Sequence, residues 1–97
     1  MSKDPQTGAA GGQGAAGVVR YGFDPAMAGR RAECDGGSVD AEGRASREEF
    51  AGRLTGEYFE QGDPPWRWYL MTDLTQRPPY FEHESVWCDA GFLFVMD

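Results

Sequence analysis

The aromatic residues of this chain are gathered at one end. Ten of the thirteen lie between Leu54 and Asp97. The same stretch carries Glu57, Glu60, Asp63, Asp73, Glu82, Glu84, Asp89 and Asp97 against only Arg67 and Arg77. Residues 1–53 are close to neutral. A block that is both aromatic and acidic points to recognition by surface, not to bond-making chemistry.

Ninety-seven residues allow one small domain. Residues 1–17 are mostly Gly, Ala and small polar groups. They bury too little apolar area to offset the entropy of ordering, so a disordered arm is expected there. The expected domain is residues 18–97, near the lower size limit for a self-sufficient core.

The net charge of −7 sets the partners. Direct nucleic-acid binding needs cations to neutralise phosphates, and here they are outnumbered. An anionic membrane surface is disfavoured for the same reason. The charge suits a basic protein surface as partner, and it equally serves solubility alone. Met1-Ser2-Lys3-Asp4-Pro5 leads into Gly and Ala, not into a signal-peptide apolar core. The longest apolar run, Phe92 to Met96, is too short to span a bilayer. A soluble cytoplasmic protein is expected. Cys34 and Cys88 are then expected as free thiols, with a bridge between them left open.

Ser46-Arg47-Glu48-Glu49 reads as a capping box. Phe50, Ala51, Leu54 and Tyr58 follow at helical spacing. Gly62 and Asp63-Pro64-Pro65 then stop the pattern. These signals predict a helix over residues 46–61. Strands are predicted over 66–72, 80–88 and 92–96, with 18–23 as a further candidate. Residues 24–45, interrupted by Gly29, Gly36, Gly37 and Gly43, read as a long loop. Asp89-Ala90-Gly91 reads as a hairpin turn joining 80–88 to 92–96, with Cys88 opposite Phe92 and Val86 opposite Phe94. The expected fold is α+β: one helix on a small three- to four-stranded antiparallel sheet, behind a flexible N-terminal arm. The last strand has no polar residue on either face, so both faces need cover. Segment 24–45, a second copy of the chain, or another protein are the three candidates.

The chemistry-bearing residues form no catalytic pattern. His83 and Cys88 differ by an odd number, which puts them on opposite faces of a strand. Neither cysteine nor His83 sits at metal-ligand spacing, and no metal or cofactor motif is present. Glu82 and Glu84 share a strand face and read as a solvated acidic edge. Pro64-Pro65-Trp66-Arg67-Trp68-Tyr69 is dense in rings that serve either as core or as an interface hot spot.

The sequence therefore predicts a non-enzymatic module without a cofactor that binds, and inhibits, a basic protein. Glu57, Glu60, Asp63, Asp73, Glu82, Glu84 and Asp89 are the expected charged contacts. Trp66, Tyr69, Tyr80 and Trp87 are the expected apolar ones. One form is a nucleic-acid mimic. Anti-CRISPR, antirestriction and immunity proteins share its small size and acidity, an analogy that no motif in this chain extends. The alternative is a homodimer, joined through the sheet face, that holds a small ligand in an aromatic pocket.

Overall fold

The computed structural model describes residues 19–96. The expected arm at 1–17 lies outside them. The described chain is a single antiparallel sheet of eight strands. These are β1 (Val19–Phe23), β2 (Arg31–Asp35), β3 (Ser38–Val39), β4 (Ala45–Ser46), β5 (Glu49–Gln61), β6 (Trp66–Gln76), β7 (Val86–Asp89) and β8 (Leu93–Val95). The order across the sheet is β4-β3-β7-β6-β5-β2-β8, with β1 also paired to β5. A 3-10 turn, Ala90–Phe92, links β7 to β8, and no α-helix occurs among the described residues.

The expected α+β fold is therefore corrected: residues 46–61 hold no helix but the end of β4 and the 13-residue strand β5. Phe50, Leu54 and Tyr58 are four apart, and that spacing repeats on one face of a helix and of a strand alike. The positions that separate the two readings are Gly52 and Gly56. Burial along β5 recurs at every second residue: Phe50, Gly52, Leu54, Gly56. Two of the inward positions carry no side chain, so the period of two is erased from the hydrophobic pattern.

Both glycines are required by close approach. A Cβ on Gly52 would stand 2.5 Å from the Thr72 carbonyl oxygen of β6. Gly56 has φ +96° and faces Phe23, Ala28 and the Asp24 carbonyl. Ser46 does cap, but in a turn: its Oγ accepts the Glu48 N–H at 3.0 Å just before β5 begins.

The expected loop 24–45 also resolves into structure. It holds β2, β3 and the start of β4. Residues 24–30 fill the gap in the β5 edge between β1 and β2. There the Asp24 N–H donates to the Gly56 carbonyl and the Gly29 N–H to the Leu54 carbonyl, each at 2.8 Å.

The expected hairpin of 80–88 with 92–96 is not formed. Only Val86–Asp89 is strand, and it pairs with β6 and β3. β8 pairs instead with β2. The turn chemistry at Asp89-Ala90-Gly91 is real, with Asp89 Oδ1 accepting the Gly91 N–H at 2.8 Å. It builds a corner rather than a hairpin.

Chain connections roll the sheet. In a flat sheet β2 and β3 would lie four strand spacings apart, about 19 Å. The link Gly36-Gly37 reaches only about 11 Å. The two ends must therefore curl together, and the Asp89 N–H donates to the Gly37 carbonyl at 2.7 Å where they meet. Inside the roll lie Ala32, Cys34, Phe50, Leu54, Tyr69, Met71, Val86 and Cys88.

The two thiols are free and buried. The neighbouring Cys88 thiol holds the Cys34 pKa down, and the Cys34 thiol, with burial, pushes Cys88 up. Phe92, Phe94 and Met96 stay exposed around edge strand β8.

Replacing Gly52 by Ala forces a methyl group against a backbone carbonyl that cannot swing away. The expected loss is about 1–3 kcal/mol, read as a lower urea midpoint with the β-type circular dichroism retained.

Candidate binding face

The outward side chains of β1, β5, β6 and β7 build an aromatic face. Tyr21, Phe59, Trp68 and Trp87 come from four different strands and touch one another. Phe59 stacks on Trp68 with centroids 5.0 Å apart and planes 8° from parallel. It meets Trp87 edge-on at 4.9 Å. Tyr21 closes the group at 6.1 Å from Phe59 and 6.5 Å from Trp87. Tyr21 and Trp87 meet although their strands lie three places apart in the sheet. Offset and edge-on contacts of this kind stabilise beyond their area. Tyr21 remains 75% exposed.

Trp66 continues the row two residues before Trp68. It is half exposed, and its Nε1–H donates to Asp89 Oδ1 at 2.5 Å. That one carboxylate oxygen thus holds both the indole and the Gly91 N–H. Glu57 is exposed on β5, two residues from Phe59 and so on the same face. Asp63 is exposed in the turn that leads into Trp66.

The remaining expected contact residues go elsewhere. Glu60 and Tyr69 point into the roll, around Arg67. The Arg67 guanidinium donates to Glu60 Oε2 at 2.5 and 2.8 Å and to the Tyr69 hydroxyl at 3.0 Å. The Tyr69 hydroxyl donates onward to Asp24 Oδ2 at 3.1 Å. Arg67 also lies over the Tyr58 ring, 3.7 Å from its centroid. The hydrogen bonds to Tyr69 and Glu60 raise the Arg67 pKa further above its ordinary value. Tyr69 is 7% exposed and has little surface to offer a partner. Asp73 is exposed at the irregularity in β6, with φ +49°, and lines a separate hollow with Arg31, Arg53 and Met96.

Tyr80 and Glu82 line a cavity of about 430 Å³ between the β3–β4 turn and the loop 77–85. Phe81 anchors that loop, its ring edge-on to Phe50 at 4.9 Å. Glu84 is exposed on the same loop, its carbonyl accepting from Thr72 Oγ1 at 3.4 Å. The cavity wall also carries Asp40, Glu42, Arg44 and His83. Asp40 Oδ1 accepts the backbone N–H groups of Glu42 and Arg44, each at 2.9 Å. Burial pushes the Asp40 carboxyl up, but those two N–H groups and the Arg44 guanidinium outweigh it and hold the pKa below its usual value.

Sequence reasoning missed Tyr21, Phe59 and Trp68 at the aromatic face, and Asp40, Glu42 and His83 at the cavity. Phe59 was hidden by the helical reading, because only strand alternation separates it from Tyr58. His83 lies forty-odd residues from its acidic neighbours, and no local spacing signals such a contact.

Comparison with known proteins finds no match: no family model, no curated protein and no solved structure resembles this chain. No helix among the described residues is long and apolar enough to cross a membrane.

Removing the Arg67 charge, as in Arg67→Met, leaves Glu60 and Asp24 facing each other unneutralised. The pair is partly exposed, so the expected loss is about 1–2 kcal/mol, between the values for surface and buried ion pairs. Chemical denaturation of the variant beside the parent measures it.

Proposed function

We propose that the protein is a non-enzymatic module that docks on a basic protein surface through the aromatic face of β1, β5, β6 and β7. The observation that carries this reading is the ring cluster of Tyr21, Phe59, Trp68 and Trp87, extended by the half-exposed Trp66. Trp and Tyr are the residue types enriched where interfaces concentrate their energy. Carboxylates stand beside them: Glu57 on the face, Asp63 at its tip and Asp89 under Trp66. Rings rimmed by negative charge suit Arg and Lys side chains, which gain both cation–π and Coulomb attraction.

The net charge of −7 favours one form of this activity. The module would block a phosphate-binding groove, its carboxylates standing where phosphates bind. Inhibition of a nucleic-acid-handling protein follows from that form. A reducing cytoplasm is the proposed setting, and the free thiols Cys34 and Cys88 fit it.

The alternative reading, a homodimer holding a small ligand, is favoured by the cavity of about 430 Å³. That volume suits a small molecule. Its walls are Tyr80, Phe81 and polar groups, not the ring cluster, so the two readings occupy different places.

Affinity capture from a host extract separates them. The parent chain is expected to retain a basic protein that is released between about 0.05 and 0.5 M salt, as screening shortens the reach of charge. Trp66→Ala combined with Glu57→Gln is expected to lose it, while Tyr80→Ala retains it. Capture that ignores salt and survives the double variant would falsify the proposal.

A further inference from the structure

We propose that Asp40, Glu42 and His83 form a binding site for a divalent transition-metal ion of the zinc class. The β3–β4 turn supplies both carboxylates, two residues apart. The loop 77–85 supplies the imidazole. His83 Nε2 lies 4.0 Å from Asp40 Oδ2 and 3.9 Å from Glu42 Oε1. The three ligand atoms all fall within 4.8 Å of one another. Zinc bonds of about 2.0–2.2 Å place tetrahedral ligand atoms roughly 3.3–3.5 Å apart, so the two distances to His83 close by about half an ångström and the widest separation by at most about 1.4 Å.

Two carboxylates on a turn would make an ion-paired turn and nothing more. The imidazole nitrogen, brought by a separate segment and facing both oxygens, makes them a ligand set. Two of the three ligands, Asp40 and His83, are also positioned by other contacts. Asp40 commits Oδ1 to the backbone N–H groups of Glu42 and Arg44, which leaves Oδ2 for the ion. The His83 carbonyl accepts from Arg77 Nη1 at 3.1 Å, and the His83 ring packs edge-on to Phe81 at 5.4 Å. A fourth coordination position faces the cavity of about 430 Å³, which has room for water or a small anion.

Ligand chemistry selects the metal. An imidazole with two carboxylates suits zinc and its neighbours, whereas calcium and magnesium prefer oxygen throughout. Arg44 now neutralises the bay. Its Nε sits 3.4 Å from Asp40 Oδ2, and its Nη2 contacts Glu42 Oε1. These are the two oxygens that face His83. The Arg44 side chain is 72% exposed, so it can swing into solvent when an ion arrives. Arg44 and the metal are competitors for one site.

Calorimetric titration of zinc ion into the full chain, in a non-chelating buffer, tests the site. One equivalent is expected to bind, and to raise the melting temperature. Loss of an outer partner already costs roughly 10–100-fold at protein metal sites, so His83→Ala is expected to weaken binding at least tenfold. Arg44→Ala is expected to tighten it. Cobalt substitution is expected to give a spectrum without a thiolate charge-transfer band. If His83→Ala fails to fold, Glu42→Gln on the exposed turn gives the same reading. Absence of heat in both the parent and Arg44→Ala overturns the proposal. So does undiminished binding in His83→Ala or Glu42→Gln. A thiolate band would overturn it as well, by moving the ion to Cys34 and Cys88.

Discussion

The ladder between β5 and β6 is the contact on which the other strands depend. β5 carries β6 along one edge and both β1 and β2, in series, along the other. β6 in turn carries β7, which carries β3. The ladder is irregular at two places: β6 gains residues around Asp73, and β5 gains them between Leu54 and Tyr58. Each gain is an even number of residues, so inward side chains remain inward beyond it. The irregularities increase bending without exchanging faces. They let one long hairpin serve a closed core at one end and an aromatic face at the other.

Charge is divided along the same ladder. The acidic excess in the sequence looks uniform, but its members do different work. Glu60 and Asp24 are held by Arg67 beneath the sheet. Asp89 is spent on an indole and a turn, and Asp40 on a turn. Glu57 and Asp63 stay exposed near the rings.

How much of this was legible depends on which residues occupy the inward positions. β6 was readable because Trp66, Trp68 and Leu70 alternate with Arg67, Tyr69 and Met71 without a gap. β5 was not, because Gly52 and Gly56 replace the side chains that would have revealed its period. β2 to β4 were too short and too glycine-flanked to rise above a loop reading. Ser46 does cap a backbone N–H and Asp89 does hold a turn, but neither forms the capping box or hairpin loop that was expected. Each was placed in the wrong long-range setting, since a cap or a corner does not specify the element it serves. The aromatic and acidic character of the ring-bearing face was visible in composition. Its membership was not, because ring contacts such as Tyr21 with Trp87 join strands far apart in sequence.

The pairing of β8 with β2 joins Leu93 to Cys34. Contacts between residues so far apart in sequence close late, after the entropy of the intervening loop has been overcome. On the ribosome, β2 emerges long before its second neighbour exists. Until Leu93–Val95 is synthesised, that edge of β2 offers its backbone to any strand nearby. Closure of the roll thus waits on β8, and until that strand is in place a premature pairing competes for the position it will take.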